Sequence, residues 1–588
     1  MNRTVNYVKH PELEIHTDKP DAFRGWMAIR DEIQAQIETI KANEGKETII
    51  VCIDDYHGTD KNELLEELIL PLGPDHVIDV LQAKKPEEQL QVMLENNLTD
   101  DRVFGSMSTH KMKDFFDCEN LAALKEQIKT LKGLVVVYGE GADLAAAPAD
   151  LTIYCDLTRW EIQLRYRAGM DNWEAGNFNE DILRKYKRGY FVEWRVMDRH
   201  KLDVLKHCQY LIDTNVHGDP KMITKEAFDL AIEKFANVPF RLVPYFDEGI
   251  WGGTWMEENF GLKPQKTHYA WAFDGVPEEN AICANVNGVP FDMPAMNLVK
   301  LAPKKLLGEK VFSRFGAEFP IRFDFLDTMN GGNLSLQVHP LTEYIKDQFG
   351  MAYTQDESYY ILDADDSAHV YLGVKDNVNP DEFIAALKHS NETGEPLDDS
   401  KFVNCFPVKK HDHVLIPAGT VHCSGSGTVV LEISATPYIF TMKLWDWGRV
   451  GLDGKPRPIN IEHGAKNIQY DRTTDWCRDN LVSDIHTLKE TDTFKEERTG
   501  LHELEFIETR RAWMREPAEF STEESVNVLN LIEGEEARIE PLDSSLEPLT
   551  VHYGETFIIP ESVKNYRIVP VDKGNADQIA VICARVRV

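Results

Sequence analysis

Gln337 and His339 stand two residues apart in Asn333-Leu334-Ser335-Leu336-Gln337-Val338-His339-Pro340. Leu334, Leu336 and Val338 alternate there with Ser335, Gln337 and His339, the period-2 pattern of a β-strand. The two polar side chains therefore point to one face, about 7 Å apart along the strand. Pro340 has no N–H to give to a ladder and ends it. A Gln and a His side by side form either a polar surface or two ligands of one metal ion. Glu357, in the aromatic run Asp356-Glu357-Ser358-Tyr359-Tyr360-Ile361-Leu362, and His422, just after Ile416-Pro417-Ala418-Gly419, add two more donors. His nitrogen and carboxylate oxygen suit a divalent ion such as zinc, with a position left open for substrate. The amide oxygen of Gln is a poorer ligand, and Gln337 serves equally well as a structural hydrogen-bond partner.

The elements that must hold these residues are short strands and turns. Lys409 to Val414 leads into the Pro/Gly turn before His422, and Leu431-Glu432-Ile433 follows one hairpin later. Asn379-Pro380-Asp381-Glu382, followed by Phe383, Ala386 and Leu387, reads as a capped helix. The polar stretch from Ser390 to Ser400 reads as an exposed loop. From about Thr493 onward, short apolar runs such as Val526–Ile532, Glu555–Ile559 and Ala580–Val586 recur between Gly and Pro, the pattern of a separate antiparallel β-sandwich.

Several of these stretches together resemble the class I mannose-6-phosphate isomerases, zinc enzymes of the cupin fold. They are Gln337-Val338-His339-Pro340, the later Glu357, and Ile416-Pro417-Ala418-Gly419-Thr420-Val421-His422. Trp251-Gly252-Gly253-Thr254, Leu326-Asp327 and Leu431-Glu432-Ile433 belong with them, as does Asp446-Trp447-Gly448-Arg449-Val450 followed by Asp453-Gly454-Lys455-Pro456-Arg457. The resemblance spans roughly residues 240 to 588. It implies one zinc per chain on Gln337, His339, Glu357 and His422. The implied reaction is interconversion of mannose 6-phosphate and fructose 6-phosphate through a cis-enediol.

Such an isomerase moves a proton between C1 and C2, so it needs a base within reach and a positive group for the developing oxyanion. Glu432 is a candidate base, and a strand-end carboxylate in a surface pair is its plainer role. Lys443 and Arg449 are candidates for the anionic substrate or the oxyanion. The chain also departs from the family. Lys443 stands where bacterial relatives carry Arg, keeping the charge without the planar fork. Gln355 and Asp324 stand where the family has Lys, and His268-Tyr269-Ala270-Trp271 lacks an acid the family carries. A zinc cupin that binds a sugar or sugar phosphate without turnover, or an isomerase for a different sugar, is therefore the alternative.

The first 230 or so residues lie outside that resemblance. Apolar runs at Thr48–Asp54, His76–Leu81, Leu134–Tyr138, Leu151–Asp156 and Gln209–Asp213 alternate with helical patterns, which predicts a parallel α/β sheet. The first run leads into Asp54-Asp55-Tyr56-His57-Gly58-Thr59-Asp60-Lys61-Asn62. That is the place of a phosphate-binding loop, but Asp60 replaces the Gly before Lys61 and Asn62 replaces the hydroxyl that holds Mg²⁺. Ile153-Tyr154-Cys155-Asp156, then Arg159, Arg165 and Arg167, resembles a nucleoside-kinase strand with its arginine-bearing lid helix. The expectation is a kinase-like domain with a degenerate P-loop that transfers no phosphate from ATP. The alternative is an ordinary α/β domain with a solvated Lys61.

The chain of 588 residues is thus expected to be multidomain. An α/β parallel-sheet domain over 1–230 precedes two all-β cupin (jelly-roll) domains with a few helices. The first of these, over 240–485, carries the zinc site; the second, over 490–588, is a cupin-like β-sandwich. Asn215–Lys221 has the composition of a linker. A net charge of −35 argues against nucleic acid or an anionic membrane as a main partner. No run of 18 apolar residues predicts a membrane span. Nine scattered cysteines without a CxxC pair read as reduced thiols in the cytoplasm.

Overall fold

A computed structural model describes residues 5–435, 440–452, 454, 456–543, 546–574 and 576–588. Two compact units emerge, and neither is continuous in sequence. One holds residues 12–233 with 281–297, and the other holds the residues up to 11 with 234–280 and 298–588.

The first unit is built on Thr48–Asp55, a strand that pairs in parallel with Gly133–Tyr138 on one side and Leu151–Asp156 on the other. His76–Asp79 and Tyr210–Asp213 extend the parallel sheet at either end. Both faces of the central strand are covered, so its sequence is an almost unbroken apolar run instead of an alternating one. Ile49, Val51 and Ile53 are fully buried. They share a core with Ile29, Ile33 and Ile37, spaced four apart on the helix Trp26–Glu44. Asn215–Lys221 is not a linker. It turns the chain into Lys221–Thr224, which pairs antiparallel with Tyr210–Asp213, and Ala22–Arg24 then closes the edge. Turns and linkers share the same Gly, Pro and polar composition, which is why composition alone misplaced it.

The second unit carries two antiparallel sheets around the candidate site. One runs His413–Ile416, Glu357–Ala364, Thr428–Ser434, Arg322–Asp327, Tyr269–Gly275 and Tyr245–Glu248. The other runs Val403–Pro407, His369–Val374, His422–Ser424, Leu336–Val338 and Met442–Trp445. The helix Pro380–Thr393 starts where Asn379 accepts from the backbone N–H groups of Asp381 and Glu382. Toward the C-terminus a six-stranded and a four-stranded antiparallel sheet face each other. They enclose one core to which Met514, Leu529 and Leu531 contribute from one sheet, and Ile539 and Ile568 from the other.

Candidate metal centre and neighbouring cavity

Leu336–Val338 is only three residues long, yet it places three chemical groups in a row. Gln337 pairs with His422 on one neighbouring strand and with Lys443 on the other. Glu357 opens a strand of the facing sheet. His339, Glu357 and His422 each offer a ligand atom, and these atoms lie within 4.8 Å of one another. All three side chains are buried.

The hydrogen bonds around this set fix what it offers. His339 Nδ1 lies 2.9 Å from the carbonyl of Phe440, and His422 Nδ1 lies 2.8 Å from that of Thr420. A carbonyl only accepts, so each Nδ1 carries its proton and each Nε2 presents a lone pair. Both lone pairs converge on the carboxylate of Glu357, which also only accepts. His339 Nε2 touches Glu357 Oε2, and His422 Nε2 lies 3.8 Å from Glu357 Oε1. Glu357 Oε1 is buried and has no hydrogen-bond partner among the described residues. A buried cluster of acceptors facing one another calls for a cation, and the His/Glu/His donor set suits a divalent metal ion. Burial works against the charge of Glu357, and with both imidazoles neutral a bound cation is what would offset it. Burial also takes His422 down to about 4, against the pull of Glu357, leaving the neutral imidazole that binds metals.

Gln337 Nε2 lies 3.2 Å from His422 Nε2. In this orientation the amide donates to the histidine, and with the amide turned its oxygen would face the same point as the other three ligands. Gln355 orients the glutamate. Its amide nitrogen donates to Glu357 Oε2 at 3.1 Å while its oxygen accepts from Phe440 N at 3.2 Å.

Gln337 also lines a cavity of about 230 Å³ with Trp251 and Trp271, and with Asp324, Glu432, Lys443 and Arg457. Asp324 and Glu432 sit directly opposite each other on paired strands. Arg322 Nε bonds Asp324 at 3.0 Å. Burial first, then the charges of Asp324 and Glu357, push the Glu432 carboxyl well above the usual range, against Arg322. Glu432 and Lys443 thus share one cavity beside the His339, Glu357 and His422 cluster, and Glu432 is buried rather than in a surface pair.

Arg449 does not join them. Its guanidinium bonds the carbonyl of Asn333 at 2.7 Å and Asp446 Oδ1 at 2.7 Å, and so clamps the loop to the start of the Gln337 strand. Asp446 also accepts from Ser335 Oγ at 2.7 Å. Arg457 takes the place in the cavity that Arg449 was expected to fill. Its Nη1 is buried without a hydrogen-bond partner among the described residues. Arg457 closes the same Asp453–Arg457 run that carries the family resemblance, so the signal was present in the sequence. What was missing was the path of the loop that brings it back.

The Trp251-Gly252-Gly253 stretch has a physical reason. A Cβ on Gly253 would stand 2.1 Å from Asp327 Oδ1, and one on Gly252 would stand 2.3 Å from the carbonyl of His268. Asp327 meanwhile accepts from the N–H groups of Met256 and Met329, both at 2.9 Å. The two glycines let this turn lie against its neighbours' backbone, which sets Trp251 against Trp271 at the cavity wall, ring centroids 4.7 Å apart.

In the first unit, Thr48–Asp55 ends at the expected loop. The carboxylate of Asp60 accepts from Asn62 N at 3.0 Å and from Glu63 N at 3.1 Å, and so occupies the backbone donors that a phosphate would use. Lys61 Nζ lies 2.7 Å from Glu140 Oε2 and 3.3 Å from Glu174 Oε1. It is an ion-paired residue, not a solvated one. Arg159 pairs with Asp198 at 2.6 Å, and Arg167 lies over the ring of Trp160.

Residues 25–237 match a family described as a domain of unknown function, DUF8485. Among curated proteins, the chain is 29% identical over 232 residues to the probable mannose-6-phosphate isomerase GmuF of Bacillus subtilis, covering 39% of this chain and 68% of that protein. It is 28% identical, over the same shares of each chain, to the mannose-6-phosphate isomerase ManA of the same organism. A solved mannose 6-phosphate isomerase from Bacillus subtilis matches 60% of this chain and 100% of its own at 18% identity, with a TM-score of 0.48.

Proposed function

We propose that the protein is a zinc-dependent aldose–ketose isomerase that interconverts mannose 6-phosphate and fructose 6-phosphate. The observation that carries this reading is the convergence of buried lone pairs from His339, Glu357 and His422 beside a cavity holding Glu432, Lys443 and Arg457. The curated relatives, which bear the names of mannose-6-phosphate isomerases, support it. A zinc ion on His339, Glu357 and His422, with Gln337 as the fourth donor, would polarise the sugar oxygens and stabilise an enediolate. Glu432 removes the C2 proton of the aldose and returns it to C1, while the 2-hydroxyl proton passes to O1 within the cis-enediol. The environment that raises the Glu432 carboxyl suits it to hold that proton between the two steps. Lys443 and Arg457 face the negative charge of the substrate or of the developing oxyanion. The nine free cysteines agree with a reducing, cytoplasmic setting.

A second reading rests on Asp324 and Gln355. A carboxylate and a neutral amide stand where the resembling family has lysines, which favours either a different sugar or a zinc cupin that binds without turnover. Turnover of mannose 6-phosphate separates the two, provided zinc content is measured on the same sample. The first unit we read as kinase-like in topology and without phosphoryl transfer. The capped loop at Asp60 and the internal pairing of Lys61 support that reading. Tight Mg·ATP binding, or ATP hydrolysis that Lys61→Ala removes, would overturn it.

A further inference from the structure

The three candidate ligands are not steadied in the same way. His339 and His422 each give the Nδ1 proton to a backbone carbonyl, an acceptor that belongs to the chain itself. Glu357 instead takes a hydrogen from a side chain. Gln355 stands two residues before it, buried like Glu357, and its Nε2 donates to Glu357 Oε2 at 3.1 Å.

The amide of Gln355 has one workable orientation. Phe440 N–H can only donate, so the atom 3.2 Å from it is the amide oxygen. The amide nitrogen then faces the carboxylate, which can only accept. The backbone of Phe440 closes the arrangement, because its carbonyl is the acceptor for His339 Nδ1 at 2.9 Å. A path therefore runs from Glu357 through Gln355 and the two polar groups of Phe440 to His339. There it returns to its start, since His339 Nε2 touches Glu357 Oε2. Two of the three ligands hang on the backbone of one residue, and Gln355 joins Glu357 to it.

An amide suits this place better than a charged group. A lysine carries three donors and no acceptor, so it could reach Glu357 but could not take the Phe440 N–H. Its ammonium would also compete with a metal ion for the carboxylate. The neutral amide fixes the direction of Glu357 and leaves the whole charge of the carboxylate to the ion.

We propose that Gln355 is the positioning residue of the metal centre, locking Glu357 and His339 to the backbone of Phe440 in the geometry that binds the ion. This rests on the metal reading of His339, Glu357 and His422, and assigns part of the affinity to a residue that acts through two of those ligands. Gln355→Met and Gln355→Leu remove both bonds of the amide at nearly constant volume. The test compares these variants with the parent as full-length proteins, by zinc affinity in competition with a chelator and by the visible absorption of the cobalt-loaded form. Both variants should weaken zinc about 10- to 100-fold and shift the cobalt bands. Gly253→Ala, which strains the turn against Asp327 and touches no ligand, should leave both readouts unchanged. The assignment falls if a folded Gln355 variant binds zinc within about twofold of the parent. It also falls if zinc affinity drops while the cobalt bands stay in place, or if Gly253→Ala moves the bands as far. A parent protein that takes up no zinc would overturn the metal reading itself, and this assignment with it.

Discussion

His339 and His422 give their Nδ1 protons to backbone carbonyls, and this fixes both Nε2 lone pairs toward Glu357. His422→Ala removes one of these ligands, and zinc content and turnover should both fall to background. Lys443→Ala removes a charge beside the substrate and no ligand. It should keep full zinc content while kcat/KM on mannose 6-phosphate drops by about 10²-fold. An unchanged kcat/KM would make Lys443 a bystander and leave Arg457 as the cation to test. Arg449→Ala should act differently, because Arg449 ties Asp446 to Asn333. A loss of about 1–3 kcal/mol in urea unfolding is expected, from the acceptors left behind. That His339, Glu357 and His422 come together was legible in the sequence, because strand alternation and the Pro/Gly turn state the local geometry outright. The choice between Arg449 and Arg457 was not legible, since it depends on where a loop returns.

Strand identity was readable for Thr48–Asp55 and Leu151–Asp156, where unbroken apolar runs leave one interpretation. The segment after Lys61 was less readable. Its apolar spacing suggests an α-helix, but the backbone makes a wide π turn over Leu64–Ile69 after a single α turn. The five-residue hydrogen-bond step of a π turn leaves no mark in a pattern of period 3.6. The Trp251-Gly252-Gly253 turn shows the converse, a sequence signal whose reason appears only in three dimensions. Gly253→Ala would drive a methyl into Asp327 and the backbone at Met329. It should cost about 1–3 kcal/mol in denaturant unfolding. A variant as stable as the parent would show that this turn can move away from Asp327.

At the scale of the whole chain, buried carboxylates tie stability to pH. Burial disfavours the charge of Glu140, but Lys61 and then His57 overcome this and hold the carboxyl at about 2, below its ordinary 4.5. A depressed carboxyl stabilises the folded state fully above about pH 4.5, and that contribution is lost as pH falls toward about 2. Glu140→Gln should therefore lower stability at pH 7 by about 2–3 kcal/mol and flatten the acid side of the stability curve. An acid limb as steep as the parent's would place the titrating group elsewhere. Zinc should act in the same way through mass action. Free zinc at about 100 times its dissociation constant adds about 2.7 kcal/mol, so chelation should lower Tm in the parent and leave His422→Ala unmoved.

The division into two units was only partly legible. Residues 281–297 belong with the first unit although the surrounding sequence belongs with the second, and an excursion of that kind carries no compositional mark. The central claim concerns one site in the second unit, and one measurement addresses it most directly. It is the rate of conversion of mannose 6-phosphate to fructose 6-phosphate by full-length protein whose bound metal is quantified in the same sample. The account predicts turnover that rises in proportion to zinc up to one ion per chain and disappears on chelation. A sample holding one zinc per chain without turnover would contradict the isomerase and leave a sugar-binding cupin. Turnover that persists in metal-free protein would contradict the role assigned to His339, Glu357 and His422.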